Sequence, residues 1–190
     1  MIFLTKNPIS NTTYHPDMLV TISKQDAHTA KLMGLDTVKL VEMQGVSPRL
    51  ENKTQSRQEA NIWGFKAEFA VARLLNTDLP IVNVATDGGV DLWFDDVSID
   101  VKFSNKERGP LIFDSIDKFQ ADVAVLVGRT YKENTLRING WITKDRFINE
   151  AQAKDFGYGP RLKMEIGDLD PIESMWRKLM ARRFRYNKYV

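Results

Sequence analysis

The segment DGGVDLWFDDVSIDVKFS, residues 87–104, constrains the fold more than any other part of the chain. Two runs in it alternate apolar and polar residues with the period of a half-buried strand: Val90, Leu92 and Phe94, then Val97, Ile99, Val101 and Phe103. Asp95-Asp96 between them is turn chemistry. Folding back there pairs 94 with 97, 92 with 99, 91 with 100 and 90 with 101, and this register puts all the apolar side chains on one face. The same register sets Asp91 opposite Asp100, with Lys102 on the same face. Directly opposed side chains begin about 4.5–5.5 Å apart, and like charges placed so destabilise a sheet. Either one carboxylate is protonated, or Lys102 neutralises the pair, or a divalent cation sits between them. Lys102 starts about 6.6 Å further along the strand than Asp100, so its stem can reach a group held at the carboxylates without taking the cation's place. Taken alone, Asp-Val-Lys also describes an ordinary solvated strand face.

The helix before this hairpin supplies a third acid. Three, four and seven residues from Glu68 lie Asn61, Gly64, Phe65, Val71, Ala72 and Leu75, nearly all apolar or small. Glu59, Lys66 and Arg73 recur every seven residues and define a solvent stripe on the far side. Glu68 is therefore expected to point towards the core, where an isolated ionised carboxylate is costly. It is a third candidate ligand, or else the partner of a buried lysine or arginine.

The rest of the chain reads as one α/β domain with a mixed central sheet flanked by helices. Residues 1–53 form an N-terminal extension, packed on or beside the core, with a helix from Ser23 through Met33. The core, 54–170, holds a helix from Gln55 to Asn76, then strands at Pro80–Ala85, Val90–Phe94, Val97–Phe103, Asp122–Val127 and Leu136–Ile142. Thr143 caps a helix through about Lys154, and a strand follows near Leu162–Ile166. Asp170-Pro171 opens a basic C-terminal helix, 171–190, belonging to the same domain.

A chain of 190 residues can bury about 70% of its unfolded surface, enough for one real core. Its 43% hydrophobic and 27% charged residues are an ordinary globular mixture. No apolar run approaches the ~20 residues of a membrane span, and MIFLTKNPIS turns polar too soon for a secretory signal. With no cysteine there is no disulfide framework or thiolate site, and a reducing, cytoplasmic setting is expected. Histidines are limited to His15 and His28, so any metal should be a hard one held by carboxylates.

The net charge is +2, but from Arg177 onward six basic residues, Arg177, Lys178, Arg182, Arg183, Arg185 and Lys188, occur without an acid. Such a basic end on a mildly acidic body suggests a polyanionic partner. Trp176, Phe184, Tyr186 and Tyr189 are interleaved with these cations, a combination that grips phosphates and stacks on bases. Met175, Leu179 and Met180 suggest instead that one face packs on the core. In the loop SNKERGP, Lys106 and Arg108 are candidates for phosphate contact, or members of a mobile solvated loop. Trp93 shares the carboxylate face and walls the site or packs under a helix; Trp63 and Trp141 read as core.

GFKAEFAVARLL, DGGVDLWFDDVSIDVKFS, ADVAVLV and INGWI together resemble the PD-(D/E)XK nuclease superfamily, particularly its small phage and bacterial members. The resemblance covers about Gly64 to Ile142, somewhat under half the chain, with Val90 where a proline often precedes the first acid. It implies a restriction-endonuclease-like core with Glu68, Asp91, Asp100 and Lys102 as catalytic residues. It also implies magnesium, with manganese as a substitute, held by Asp91, Asp100, Glu68 and the backbone carbonyl of Val101. Such a metal would polarise a phosphodiester and activate water, while Lys102 would orient that water or stabilise the added negative charge. The implied function is a deoxyribonuclease acting in the cytoplasm, that of the host if the chain is phage-encoded. Exonuclease, structure-selective endonuclease and Holliday-junction resolvase remain open, and a resolvase would need a homodimer or higher homo-oligomer. A catalytically silent DNA-binding or assembly module on the same fold is the alternative from another class.

Overall fold

In chain order the elements are β1 (Met18–Thr21), α1 (Lys24–Met43), α2 (Arg57–Leu75), β2 (Leu92–Phe94), β3 (Val97–Ser104), β4 (Leu111–Phe113), β5 (Val123–Arg129), β6 (Thr135–Thr143), α3 (Lys144–Glu150), β7 (Gln152–Asp155), β8 (Pro160–Met164) and α4 (Ile172–Tyr186). They are taken from a computed structural model that describes residues 18–43, 56–80, 89–157 and 159–186. The fold is α/β. One sheet has the order β1-β6-β5-β3-β2, antiparallel throughout except where β3 runs parallel to β5, and a smaller antiparallel sheet has the order β4-β8-β7.

Helix α2 begins where Ser56, in extended conformation, accepts the Glu59 amide on its hydroxyl at 3.1 Å. Ser-x-x-Glu is the sequence of a capping box, and Asn76 ends the helix in the left-handed region at φ 53°. Its buried face, including Trp63, Ala67, Ala70, Val71 and Leu75, joins Ile99, Val101, Val125 and Val127 in the first core. Trp63 stacks on Phe103 at 5.7 Å. The opposite face of the sheet, through Ala124, Leu126 and Ile142, packs against Phe113, Phe119 and Phe147 in a second core. A two-sided core explains why β5, Val-Ala-Val-Leu-Val, is buried along its length without alternation.

Several expectations shift. Helix α1 continues past Met33 to Met43, and Gly34 within it is a point of close approach to α2: a Cβ there would lie 2.7 Å from the Ile62 backbone nitrogen. The solvent stripe of α2 stays open at Arg73 and partly open at Glu59 and Lys66, but each of its side chains has a partner. Arg73 pairs with Asp26 of α1 at 2.7 Å, Glu59 pairs with Arg129 at 2.9 Å, and Lys66 donates to Asn134 at 3.0 Å. Arg73 holds the Asp26 carboxyl below its ordinary range, and burial lowers Lys66.

The helix capped by Thr143 ends at Glu150 rather than Lys154, because Gln152–Asp155 forms β7 against β8. All four β7 residues are exposed, so no burial pattern marks them as a strand. The short strands β1 and β4 also lack a sequence signal of their own. The strand expected at Pro80–Ala85 lies outside the described residues from 81 onward. Among the described residues no helix is long and apolar enough to cross a membrane.

Candidate active site

The hairpin forms in the register its alternation dictates, with Leu92 opposite Ile99, Trp93 opposite Ser98 and Phe94 opposite Val97. The turn is accommodated by Asp95 at φ 53°. The ladder then stops, and the expected 91–100 and 90–101 pairs lie beyond its end. Val90 packs against the second core while Val101 belongs to the first, so the chain turns over just before β2. Asp91 meets β3 differently: its amide donates to the Ile99 carbonyl at 2.9 Å, and its Oδ2 accepts the Val101 amide at 2.6 Å.

Asp100 is paired with the lysine two residues on. Asp100 is 0% exposed, and Lys102 Nζ lies 2.6 Å from its Oδ1. Both point to the second core's side, beside Ala124 and Leu126 of β5, and the ammonium stands 4.8 Å from the centre of the Phe113 ring. Direct pairing of Lys102 with a carboxylate is one of the alternatives the alternation left open. A buried carboxylate requires such a partner, because leaving it ionised and alone would be far costlier than the pair.

Glu68 is half-buried and lines a cleft of about 430 Å³ together with Asp91, Asp78, Phe65, Thr37 and Trp93. Trp93 is 57% exposed and walls this cleft rather than packing beneath a helix. Asp78 escaped sequence reasoning because Asn-Thr-Asp after α2 reads simply as a turn. Glu68 and Asp91 are thus brought to one cleft, while Asp100 sits inside with Lys102. Among the described residues no group of three or more His, Cys, Asp or Glu side chains is gathered as a metal cage.

The residues nevertheless suit magnesium, which keeps much of its water and is usually bound through one or two carboxylates plus substrate phosphate. A residue's N–H and C=O leave a strand from the same edge. The Val101 carbonyl therefore projects along the edge where Asp91 is docked, past the end of β2.

The loop after β3 is clamped. Glu107 accepts Arg137 at 2.6 Å, its carbonyl accepts Asn139 at 2.9 Å, and a Cβ on Gly128 would lie 2.1 Å from that carbonyl oxygen. Lys106 and Arg108, on either side of Glu107, are thereby displayed in solvent on a held backbone.

In α4, Met175 and Leu179 are buried, as the core-packing alternative required, as is Ile172, while the Met180 side chain lies outside the described set; Arg177 and Lys178 are exposed. Lys178 Nζ also covers the ring of Trp141 at 4.7 Å, and Trp63 and Trp141 are both core residues. Arg182, Arg183 and Arg185 lie on the helix with side chains outside the described set, as is all of Lys188. Comparisons with protein-family models, with curated proteins and with solved structures give no match.

Proposed function

We propose that this chain is a metal-dependent DNA nuclease of the PD-(D/E)XK type, with a restriction-endonuclease-like core. The observation that carries the reading is the docking of the Asp91 carboxylate on the Val101 amide at 2.6 Å, which joins the first acid to the Asp100-Val101-Lys102 tripeptide. Asp91, the Val101 carbonyl and Asp100 would hold magnesium or manganese, with Glu68 facing the same cleft as Asp91. The ion, when bound, would supply Lewis-acid polarisation of a phosphodiester and a more acidic water.

The chain's own residues do the rest. Asp91 is oriented by a backbone N–H, which fixes its lone pairs without a flexible partner. Lys102 pairs with Asp100 and, on moving off it, would stabilise the negative charge that grows on phosphate during displacement. Phosphates would be gripped by Lys106, Arg108 and the basic residues of α4. Such an enzyme would act on DNA in the cytoplasm, as a monomer or a homo-oligomer.

The complete burial of Asp100 and its engagement by Lys102 favour a second reading, in which the fold is kept as a silent DNA-binding or assembly module. The test is incubation of the full chain with single-stranded, duplex, nicked and branched DNA, with magnesium, manganese or EDTA. Metal-dependent cleavage abolished in Asp91→Asn supports the nuclease. Binding without cleavage under every condition supports the silent module.

A further inference from the structure

We propose that a second cleft, on the Lys102 side of β3, binds a segment of single-stranded nucleic acid. This names a substrate class for the nuclease reading and rests on that reading for the role of the bound strand. The cleft is about 460 Å³ in volume, and its lining includes Lys102, Lys106, Arg161, Ile112, Asp114 and Phe156. Its size falls in the lower part of the ~300–1,000 Å³ range of ligand pockets. Three cations face one acid, and that acid, Asp114, is paired with Arg161 at 3.2 Å.

The small sheet supplies an independent observation. Arg161 of β8 stands directly opposite Lys154 of β7. Like charges in opposed cross-strand positions are unfavourable, and a bound polyanion reverses that sign. Alternation along β4 and β8 turns Leu111, Phe113, Leu162 and Met164 to the second core and leaves Ile112 and Arg161 to floor the cleft. The ring of Phe156 forms part of the wall, with the Lys154 ammonium 5.7 Å from its centre.

On the far side, Lys106 rides on the loop that Arg137, Asn139 and the bare backbone of Gly128 hold in place. A cation presented on fixed backbone loses less freedom on binding than one on a mobile loop. An aromatic wall between fixed cations suits a strand whose bases are unstacked; in a duplex the base faces are already covered by their neighbours. A strand in this cleft reaches the candidate active site at Lys102, whose ammonium contacts Asp100.

The test is titration of a labelled oligothymidylate of about 16 nucleotides, the upper end of common single-strand site sizes, into the full chain in EDTA. A duplex of equal length runs in parallel. Phe156→Ala should raise Kd about tenfold, with Phe156→Tyr restoring affinity. The exposed Lys106→Ala, which carries no folding risk, should weaken binding several-fold and lower the salt slope by about 0.7. Affinity unchanged in both Phe156→Ala and Lys106→Ala, or duplex bound as tightly as single strand, overturns the proposal. Magnesium-dependent cleavage alongside such unchanged affinities overturns the cleft and leaves the nuclease standing. Loss of affinity in these variants of a protein that cuts nothing with any metal supports the cleft and overturns the nuclease.

Discussion

Glu68, Asp78 and Asp91 line one cleft, and Lys102, Lys106 and Arg161 line the other. Neighbouring residues of β3 connect them: the Val101 amide donates to Asp91 of the acidic cleft, while Lys102 borders the basic cleft and contacts the buried Asp100. On the proposed reading the acidic side would take a cation and the basic side a polyanion. Lys102, on the basic side, is paired with Asp100, which lies buried next to the residue that holds Asp91. The comparison makes separable demands: changes on the acidic side should alter metal and chemistry, and changes on the basic side should alter strand affinity.

The largest expected effect tests that separation directly. Asp91→Asn keeps the shape of the side chain and removes its charge; cleavage with magnesium should fall by about a thousandfold or more, since a ligand and its charge are lost together. Oligothymidylate affinity in EDTA should stay within about twofold. A parallel loss of both would break the division between clefts.

Lys102→Met should come next in size. It leaves Asp100 buried without its ammonium, and breaking one side of a buried pair costs about 3–5 kcal/mol. Thermal denaturation should show a drop on the order of 10 °C for a chain of this length. Asp100→Asn combined with Lys102→Met should be less destabilised than Lys102→Met alone, because no uncompensated charge remains. A double variant worse than that single one would mean that Lys102 stabilises the fold through Phe113 packing rather than through charge.

How far the sequence discloses this arrangement differs between the clefts. The hairpin register and the burial of Leu92, Ile99 and Val101 follow from strict alternation, which is local and forces one face inward. The reversal at Val90 is not local: it depends on the second core, whose Phe113, Phe119 and Phe147 come from separate parts of the chain. Glu68 is legible as an acid on the inner side of its helix and the far stripe as charged and open to solvent, but the partners that the stripe finds on α1 and at Asn134 are distant in sequence and leave no local signal. The basic cleft was almost invisible, since Lys106, Arg161 and Phe156 meet only after β4, β7 and β8 assemble. The exposed β7 gives no hydrophobic period by which that assembly could be foreseen.

Fastening α1 to α2 should matter to the acidic cleft alone, because Thr37 and Glu68, on those two helices, line it. Asp26 is buried and accepts two hydrogen bonds from Arg73, so Asp26→Asn should cost about 2 kcal/mol in urea denaturation at neutral pH. Arg73 lowers the Asp26 pKa below its ordinary value of 3.8. The stabilisation is therefore complete well above that value and is lost as pH falls through it towards the folded-state pKa. The gap between wild type and Asp26→Asn should be flat from neutral pH to about 5 and should close in more acidic solution. A gap that widens on acidification would reverse the assigned sign. Strand affinity at neutral pH should not change.

The smallest effect sharpens the basic side. Arg137, its side chain largely buried, donates to the more exposed Glu107 at 2.9 and 2.6 Å, and it helps hold the loop that presents Lys106. Arg137→Gln removes the guanidinium that donates twice to Glu107 Oε1, while Asn139 still binds the Glu107 carbonyl, so the loop is loosened rather than released. A partly exposed pair of this kind is worth on the order of 1 kcal/mol or less. Oligothymidylate affinity should therefore fall about threefold, with the salt slope nearly unchanged because no phosphate contact is deleted. Cleavage per bound substrate at saturation should equal that of the wild type. If Arg137→Gln instead lowers the salt slope as much as Lys106→Ala does, Arg137 touches phosphate itself and the clamp is part of the binding surface.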